Sequence, residues 1–117
     1  MRIVLVEDHA AFREALGTFL EEAPDFEVVA KLGSLAETNG IASVRIDVAI
    51  VDIRLPDGDG IDLVRQLREE SPQVKTLVLT GILDPKVEVL AKESGADEVL
   101  FKSVGILQIA DAIRRIA

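Results

Sequence analysis

The chain has 117 residues, a length that suits one domain with a core that needs no metal or disulfide support. Its composition, 49% apolar and 29% charged, is that of a globular chain and not of a disordered one. A net charge of −8 argues against direct nucleic-acid binding, and no apolar run is long enough to cross a membrane. With no cysteines, we expect one cytoplasmic domain over residues 1–117.

The first part of the chain alternates apolar runs with an amphipathic segment. Residues 2–6 predict a buried strand. Over residues 10–22, apolar side chains recur at i, i+3, i+4, i+7 and i+8, which is typical of a helix with one core-facing stripe. The stripe consists of Phe12, Ala15, Leu16, Phe19 and Leu20. Residues 26–31 predict a second strand, and residues 34–45 a weaker helix that an internal Asn-Gly pair disfavours.

The middle of the chain repeats this alternation. Residues 48–52, VAIVD, predict a third strand, and residues 61–70 a helix that ends before Pro72. Residues 75–80 predict a fourth strand.

The last part of the chain adds two helices and one strand. Asp84-Pro85 has the pattern of an N-cap and a first helical residue, in a helix that runs to Ser94. Residues 98–101 predict a fifth strand, and Ser103 is the predicted cap of the last helix. The core side of that helix is predicted to consist of Ile106, Ile109, Ala110, Ile113 and Ala117.

Five successive β–α units predict an α/β fold with a parallel sheet covered by helices on both faces. Five strands match a doubly wound, flavodoxin-like sheet of order 2-1-3-4-5. In such sheets ligands bind beyond the carboxyl ends of the strands, next to the point where the strand order reverses.

Polar residues stand at those strand ends. The first strand ends at Glu7-Asp8, the third at Asp52, the fourth at Thr80, and the fifth is followed by Lys102. Three carboxylates repel one another unless a cation neutralises them, and Mg²⁺ together with one lysine balances their charge. An aspartate can accept a phosphoryl group, which a cation, a lysine and a hydroxyl would then stabilise.

Four segments carry a resemblance to a known family. They read VLVEDH, VDIRLPDGDG, VLTG and GADEVLFKS. With their spacing they resemble the receiver domain of two-component response regulators, over the whole chain. The likeness is strongest to the subfamily joined to a LuxR-type helix-turn-helix.

This resemblance implies a phosphorylation site with a metal beside it. Asp52 would accept a phosphoryl group from a sensor histidine kinase. Asp8 would bind Mg²⁺ directly, Glu7 would act largely through water, and the backbone carbonyl of Arg54 would be a further ligand.

The same resemblance assigns two more residues and exposes two departures. Thr80 would bind a phosphoryl oxygen, and Lys102 would pair with the phosphoryl group. Family members usually carry an aromatic residue where this chain has Val99, and proline where it has Ser103. In the family the peptide bond before that proline is cis. Whether the bond before Ser103 is cis stays an open question, because a non-proline cis bond costs about 3 kcal/mol.

As for partners, the resemblance implies a signalling switch that a sensor kinase phosphorylates. Its own chemistry would be limited to self-phosphorylation and self-dephosphorylation, so it would not be an enzyme in the usual sense. Output would be transcriptional, through a domain absent from this chain, with dimerisation through the first and last helices on phosphorylation.

Two alternatives stay open. One is a receiver-like binding module that takes no phosphate. The other is a Mg²⁺-dependent phosphatase with an aspartyl-phosphate intermediate, which lacks the expected second aspartate because Arg54 stands there.

Other candidate residues have simpler interpretations. Asp57, Asp59 and Asp62 fit a turn and the start of a helix, and a calcium loop fails because Arg68 stands where its last glutamate belongs. His9 is expected at the surface. A partner face is an alternative for four apolar residues: Ile82, Leu83, Val89 and Leu107.

Overall fold

A five-stranded parallel sheet forms the centre of the protein, in a computed structural model that describes residues 1–81 and 84–117. The strands are β1 (Arg2–Val6), β2 (Glu27–Leu32), β3 (Val48–Asp52), β4 (Lys75–Thr80) and β5 (Glu98–Phe101). Their order is β2-β1-β3-β4-β5, and every pairing is parallel. The predicted fold class is confirmed.

Two layers of helices cover the sheet. The helices are α1 (Ala10–Glu22), α2 (Gly60–Glu70), α3 (Pro85–Glu93) and α4 (Ile106–Ile116). Successive strand residues point to opposite faces, so Ile3 and Leu5 join a core with α1 and α4, while Val4 and Val6 join one with α2 and α3. Of the part described, no helix is long and apolar enough to cross a membrane.

The strand register brings the carboxyl ends of the strands level with one another. Val6 of β1 pairs with Val51 of β3, Asp52 pairs with Leu79 of β4, and Thr80 pairs with Phe101 of β5. The residues that follow β1 and β5 therefore lie beside Asp52 and Thr80, at one edge of the sheet.

The helix predicted over residues 34–45 is wrong. The segment forms two short 3₁₀ turns instead, Ala36–Thr38 and Ile41–Ser43. Gly40 separates them with φ 82°, a left-handed conformation that glycine adopts at no steric cost. The Asn-Gly pair therefore breaks the helix and does not merely weaken it.

Two details of the other helices also differ from prediction. Ser103 does not cap α4: it lies in a 3₁₀ turn, Lys102–Val104, and Gly105 precedes the helix without a side-chain cap. On α1, Ala15 is exposed, and Gly17 takes the buried position because the Lys31 side chain packs against it.

The end of α4 and the position of Val99 complete the comparison. On α4, Ala117 is exposed and Ala112 is buried in its place. Val99 is buried in the core shared with α2 and α3. Among the described residues no peptide bond is cis, so the bond before Ser103 is trans.

Candidate functional site

A polar cleft of about 280 Å³ opens at the carboxyl edge of the sheet. Among the described residues it is lined by Asp8, Asp52, Arg54, Thr80, Gly81 and Lys102. These residues come from the ends of β1, β3, β4 and β5. The structure thus brings together side chains that lie up to 94 positions apart in the sequence, as the strand order predicts.

Lys102 occupies the centre of the charged groups. Its Nζ donates to Glu7 Oε1 at 2.8 Å and to Asp52 Oδ2 at 3.2 Å. The same ammonium lies 5.4 Å from the centroid of the Phe12 ring, within range of a cation–π contact. Both carboxylates are nearly excluded from water, with Glu7 1% and Asp52 5% exposed. A buried acid pair of this kind needs a nearby cation to stay ionised.

The three acids form a cluster that fits a divalent metal ion. One carboxylate oxygen from each of Glu7, Asp8 and Asp52 lies within 4.8 Å of the others. Glu7 Oε2 is buried without a hydrogen-bond partner among the described residues, and a buried carboxylate oxygen ordinarily has one. Clustered carboxylate oxygens are the donors that hard cations such as Mg²⁺ prefer, so the donor set fits.

Burial and charge change the acidity of the site. Burial first, and then the charge of Glu7, raise the pKa of Asp52 to about 7, although Lys102 pulls it down. Burial lowers the pKa of Lys102, but hydrogen bonds and charge from Glu7 and Asp52 outweigh this and leave it raised. Lys102 therefore stays a cation, while the Asp52 carboxyl titrates near neutral pH when no metal is bound.

Gly60 sets the position of the backbone that follows Asp52. A Cβ on Gly60 would lie 2.0 Å from the carbonyl oxygen of Asp52, so only glycine allows α2 to begin here. The Gly60 N–H donates to the Ile53 carbonyl at 2.7 Å. Asp59 caps α2, because its Oδ1 accepts from the Ile61 N–H at 2.9 Å. Together these contacts hold the end of β3 against the start of α2.

The comparisons with known proteins point to one family. The sequence matches the response regulator receiver domain family over residues 3–114. The chain belongs to this family. The DNA-binding transcriptional activator DevR/DosR of Mycobacterium tuberculosis is 34% identical over 115 residues, which are 97% of this chain and 53% of the relative. The receiver domain therefore spans about half the length of the curated relatives it matches.

Solved structures agree with the fold. A LuxR-family two-component response regulator from Aurantimonas sp. SI85-9A1 superposes with a TM-score of 0.90 at 28% identity, over 98% of this chain and 83% of that one. A response regulator from Burkholderia pseudomallei, solved with a phosphorylated aspartic acid, calcium ion and citrate, gives 0.86 at 26% identity, over 96% and 65%. The receiver domain is thus a signalling domain of two-component systems.

The structure also adds two residues that sequence reasoning missed. Phe12 of the receiver domain lies next to Lys102, and Arg13 Nη1 donates to the Glu7 backbone carbonyl at 2.7 Å. The sequence pattern predicts Phe12 only as part of the core-facing stripe, and its side chain does pack partly buried against that core. No local sequence signal marks either contact, because each depends on how α1 lies across the sheet.

The remaining acids of the receiver domain lie outside the cleft. Asp57 accepts hydrogen bonds from two backbone N–H groups of the 3₁₀ segment, and Asp62 pairs with Arg65 on α2 at 3.4 Å. His9 precedes α1 at the surface, and its backbone N–H donates to Glu7 Oε1 at 3.1 Å. These positions agree with the structural roles expected for the acids.

The proposed partner face is described only in part. Val89 on α3 and Leu107 on α4 are 53% and 71% exposed. Ile82 and Leu83, the other two residues of that hypothesis, lie outside the described residues.

Proposed function

We propose that this receiver domain, spanning residues 1–117, accepts a phosphoryl group on Asp52 from a sensor histidine kinase, with Mg²⁺ bound. One observation carries the proposal: the Asp52 carboxylate is buried at the base of a cleft and held beside a lysine ammonium at 3.2 Å. Burial limits the hydration of the Asp52 carboxylate. The ammonium lies where it can stabilise the negative charge of a transferred phosphoryl group.

The chemistry asked of Asp52 is a nucleophilic displacement at phosphorus. One carboxylate oxygen forms a bond to phosphorus as the bond between phosphorus and the donor breaks, and the donor leaves with that electron pair. Asp52 must be ionised to attack, and the Lys102 charge favours that form. Thr80, buried at the adjacent strand end, lines the cleft where its hydroxyl can reach a phosphoryl oxygen.

The metal would be held by Glu7, Asp8, Asp52 and the backbone carbonyl of Arg54. When bound, Mg²⁺ neutralises the acids and the charge that develops on the phosphoryl oxygens. Lys102 would pair with the phosphoryl group, because its ammonium already contacts Glu7 and Asp52.

Labelling with a small phosphodonor tests the assignment of Asp52. Acetyl phosphate with Mg²⁺ should add one phosphoryl group to the wild-type protein, detected by intact-mass spectrometry. Asp52→Asn should abolish the addition, because the amide is not a competent nucleophile. Asp57→Asn and Asp59→Asn should remain labelled, since neither side chain lines the cleft. Full labelling of Asp52→Asn protein would refute the assignment, and an unlabelled wild type would favour the binding-module alternative.

Magnesium should stabilise the folded protein through the same acids. A ligand that binds only the native state raises stability by RT ln(1 + [L]/Kd), about 2.7 kcal/mol at 100 times Kd. Differential scanning fluorimetry should therefore give a melting temperature that rises with Mg²⁺ in the wild type. The rise should be much smaller in Asp8→Ala, which loses one oxygen donor of the cluster. An equal magnesium response in both proteins would count against the site.

For the whole protein, we propose transcriptional control through an output domain outside this chain. Support comes from the relatives, among them a DNA-binding transcriptional activator about twice the length of this chain. We place the domain in the cytoplasm, where a sensor kinase would phosphorylate it, and propose dimerisation through the faces of α1 and α4. Exposed Leu107 on α4 supports that face.

A further inference from the structure

The loop that follows Asp52 is anchored at both ends. It forms a short antiparallel hairpin in which Arg54–Leu55 pairs with Gly58–Asp59. At its base, Asp59 caps α2 and Gly60 packs on the Asp52 carbonyl. The tip contains Asp57, which is an exposed residue outside the cleft. The function proposed above gives Asp57 no role.

The Asp57 carboxylate binds a different part of the chain with both of its oxygens. Oδ1 accepts from the Leu35 N–H and Oδ2 from the Ala36 N–H, each at 2.8 Å. These two hydrogen bonds lower the pKa of Asp57, the Leu35 bond first. The side chain therefore caps the Ala36–Thr38 turn from 21 residues away.

The turn that Asp57 holds packs against the core shared with α2 and α3 through the partly buried Leu35 side chain. Thr38 is buried, and its hydroxyl donates to the Leu35 carbonyl at 2.5 Å. The Leu35 side chain packs against the tip so closely that a Cβ on Gly58 would lie 2.6 Å from its Cδ1. The hairpin tip therefore contacts a turn that is itself packed against the core.

The segment of residues 33–38 also lies near Glu7. Gly33 lies next to the Arg13 guanidinium, which donates to the Glu7 carbonyl. The Glu37 carboxylate accepts from the Gly33 N–H. Residues 33–38 thus lie beside the Arg13 guanidinium, which binds the Glu7 carbonyl, and beside the Asp52 loop through Asp57.

We propose that Asp57 is a positioning residue for phosphoryl transfer, which fixes the Arg54 carbonyl at the cleft by clamping the hairpin tip to the Ala36–Thr38 turn. This inference rests on the proposed function, in which that carbonyl is a metal ligand. Small displacements of such groups lower reaction rates disproportionately, because the transferred group needs its ligands in place. Loss of the clamp lowers the affinity for magnesium more than it lowers the maximal rate.

The test measures the rate of phosphorylation by acetyl phosphate as a function of Mg²⁺ concentration. In Asp57→Ala the Mg²⁺ concentration for half-maximal rate should rise about tenfold, a size consistent with the loss of a positioned ligand. Asp57→Asn keeps one of the two acceptor oxygens, so one hydrogen bond remains, neutral and weaker than the charge-assisted one. Its Mg²⁺ concentration for half-maximal rate should rise about threefold. In both variants saturating Mg²⁺ should restore most of the wild-type maximal rate.

Asp62→Asn is the matched control, since it removes an exposed carboxylate that follows the same hairpin and pairs only with Arg65 among the described residues. Its magnesium midpoint should stay within about twofold of wild type, which separates the clamp from a general loss of negative charge. Amide NMR gives a second readout: the Leu35 and Ala36 signals should respond to beryllofluoride with Mg²⁺ in the wild type and not in Asp57→Ala.

The outcomes separate the two proposals. A wild type that takes no phosphoryl group overturns the proposed function and this inference with it. A labelled wild type with an unchanged magnesium midpoint in Asp57→Ala overturns the inference alone. If Asp57→Ala fails to fold, Asp57→Asn decides, and a midpoint equal to that of Asp62→Asn overturns the clamp.

Discussion

The melting temperature of the metal-free protein should fall as the pH rises from 5 to 8, by an amount of the order of 10 °C. The cause is Asp52, whose pKa is raised from 3.8 to about 7 by burial first and then by the Glu7 charge. Between these two values the folded state binds more protons than the unfolded state, so stability decreases with rising pH. Between pH 5 and pH 7 the loss is of the order of 3 kcal/mol, from a pKa that already includes the opposing charge of Lys102.

Asp52 should dominate this window because the other groups with a shifted pKa titrate outside it. The pKa values of Asp25 and Asp57 are lowered from 3.8, so their stabilisation disappears only at more acidic pH. Those of Lys31 and Lys102 are raised from 10.5, so their stabilisation is lost only at more alkaline pH.

The measurement is thermal unfolding followed by circular dichroism in the presence of EDTA. Asp52→Asn removes the titrating group and should flatten the profile between pH 5 and 8, with a higher melting temperature than wild type at pH 8. A wild-type melting temperature that rises over this interval would contradict the raised pKa. So would a profile that Asp52→Asn leaves unchanged.

Gly60→Ala should lower the free energy of unfolding by about 3 kcal/mol, toward the upper end for overpacking. The added Cβ would lie 2.0 Å from the Asp52 carbonyl oxygen and 2.9 Å from a methyl group of Val51. Because one obstacle is backbone, α2 or the end of β3 must move. The melting temperature should fall by about 10 °C. Labelling at Asp52 should slow with it, because the displaced carbonyl belongs to the acceptor residue.

Helix propensity alone predicts the opposite sign, which makes the experiment decisive, since alanine is favoured over glycine in helices by about 1 kcal/mol. Gly17→Ala is the matched control. The three atoms nearest to its Cβ all belong to the Lys31 side chain, the first at 2.7 Å, and a flexible side chain can move aside. Urea unfolding should place Gly17→Ala within about 1 kcal/mol of wild type. A Gly60→Ala protein as stable as wild type would refute the close approach.

The central sheet and its charged edge could be predicted from the residues alone. The apolar runs that became β1, β3, β4 and β5 are bounded as predicted, because a strand buried on both faces must be continuously apolar. The βαβ alternation predicts a parallel sheet, and the strand order places Glu7 and Asp52 at neighbouring strand ends, with Lys102 after β5, two strands away from β3. Capping was readable for two helices, because Asp59 and Asp84 cap α2 and α3 and a cap and its N–H donors are neighbours in sequence. It failed for α4, where Ser103 lies in a 3₁₀ turn and not at the cap.

Features that depend on contacts between distant segments could not be predicted in this way. The helix predicted over residues 34–45 is replaced by 3₁₀ turns. One of these turns is capped by Asp57, which lies 21 residues away from Ala36 in the sequence. Nothing near Leu35 in the sequence signals that donor pair. Gly60 reads as an ordinary glycine at a helix start, and only the packing of α2 against Asp52 makes it necessary.

The pKa of Asp52 also depends on contacts between distant segments. The sequence places a carboxylate at a strand end, but its pKa depends on how deeply the helices bury it and on how close Glu7 and Lys102 approach. Hydrophobic periodicity is a local property that each segment carries alone. Burial, close approach and hydrogen bonds between distant residues exist only once those segments pack, which is why the chain's composition and motifs could predict the cleft but not its geometry.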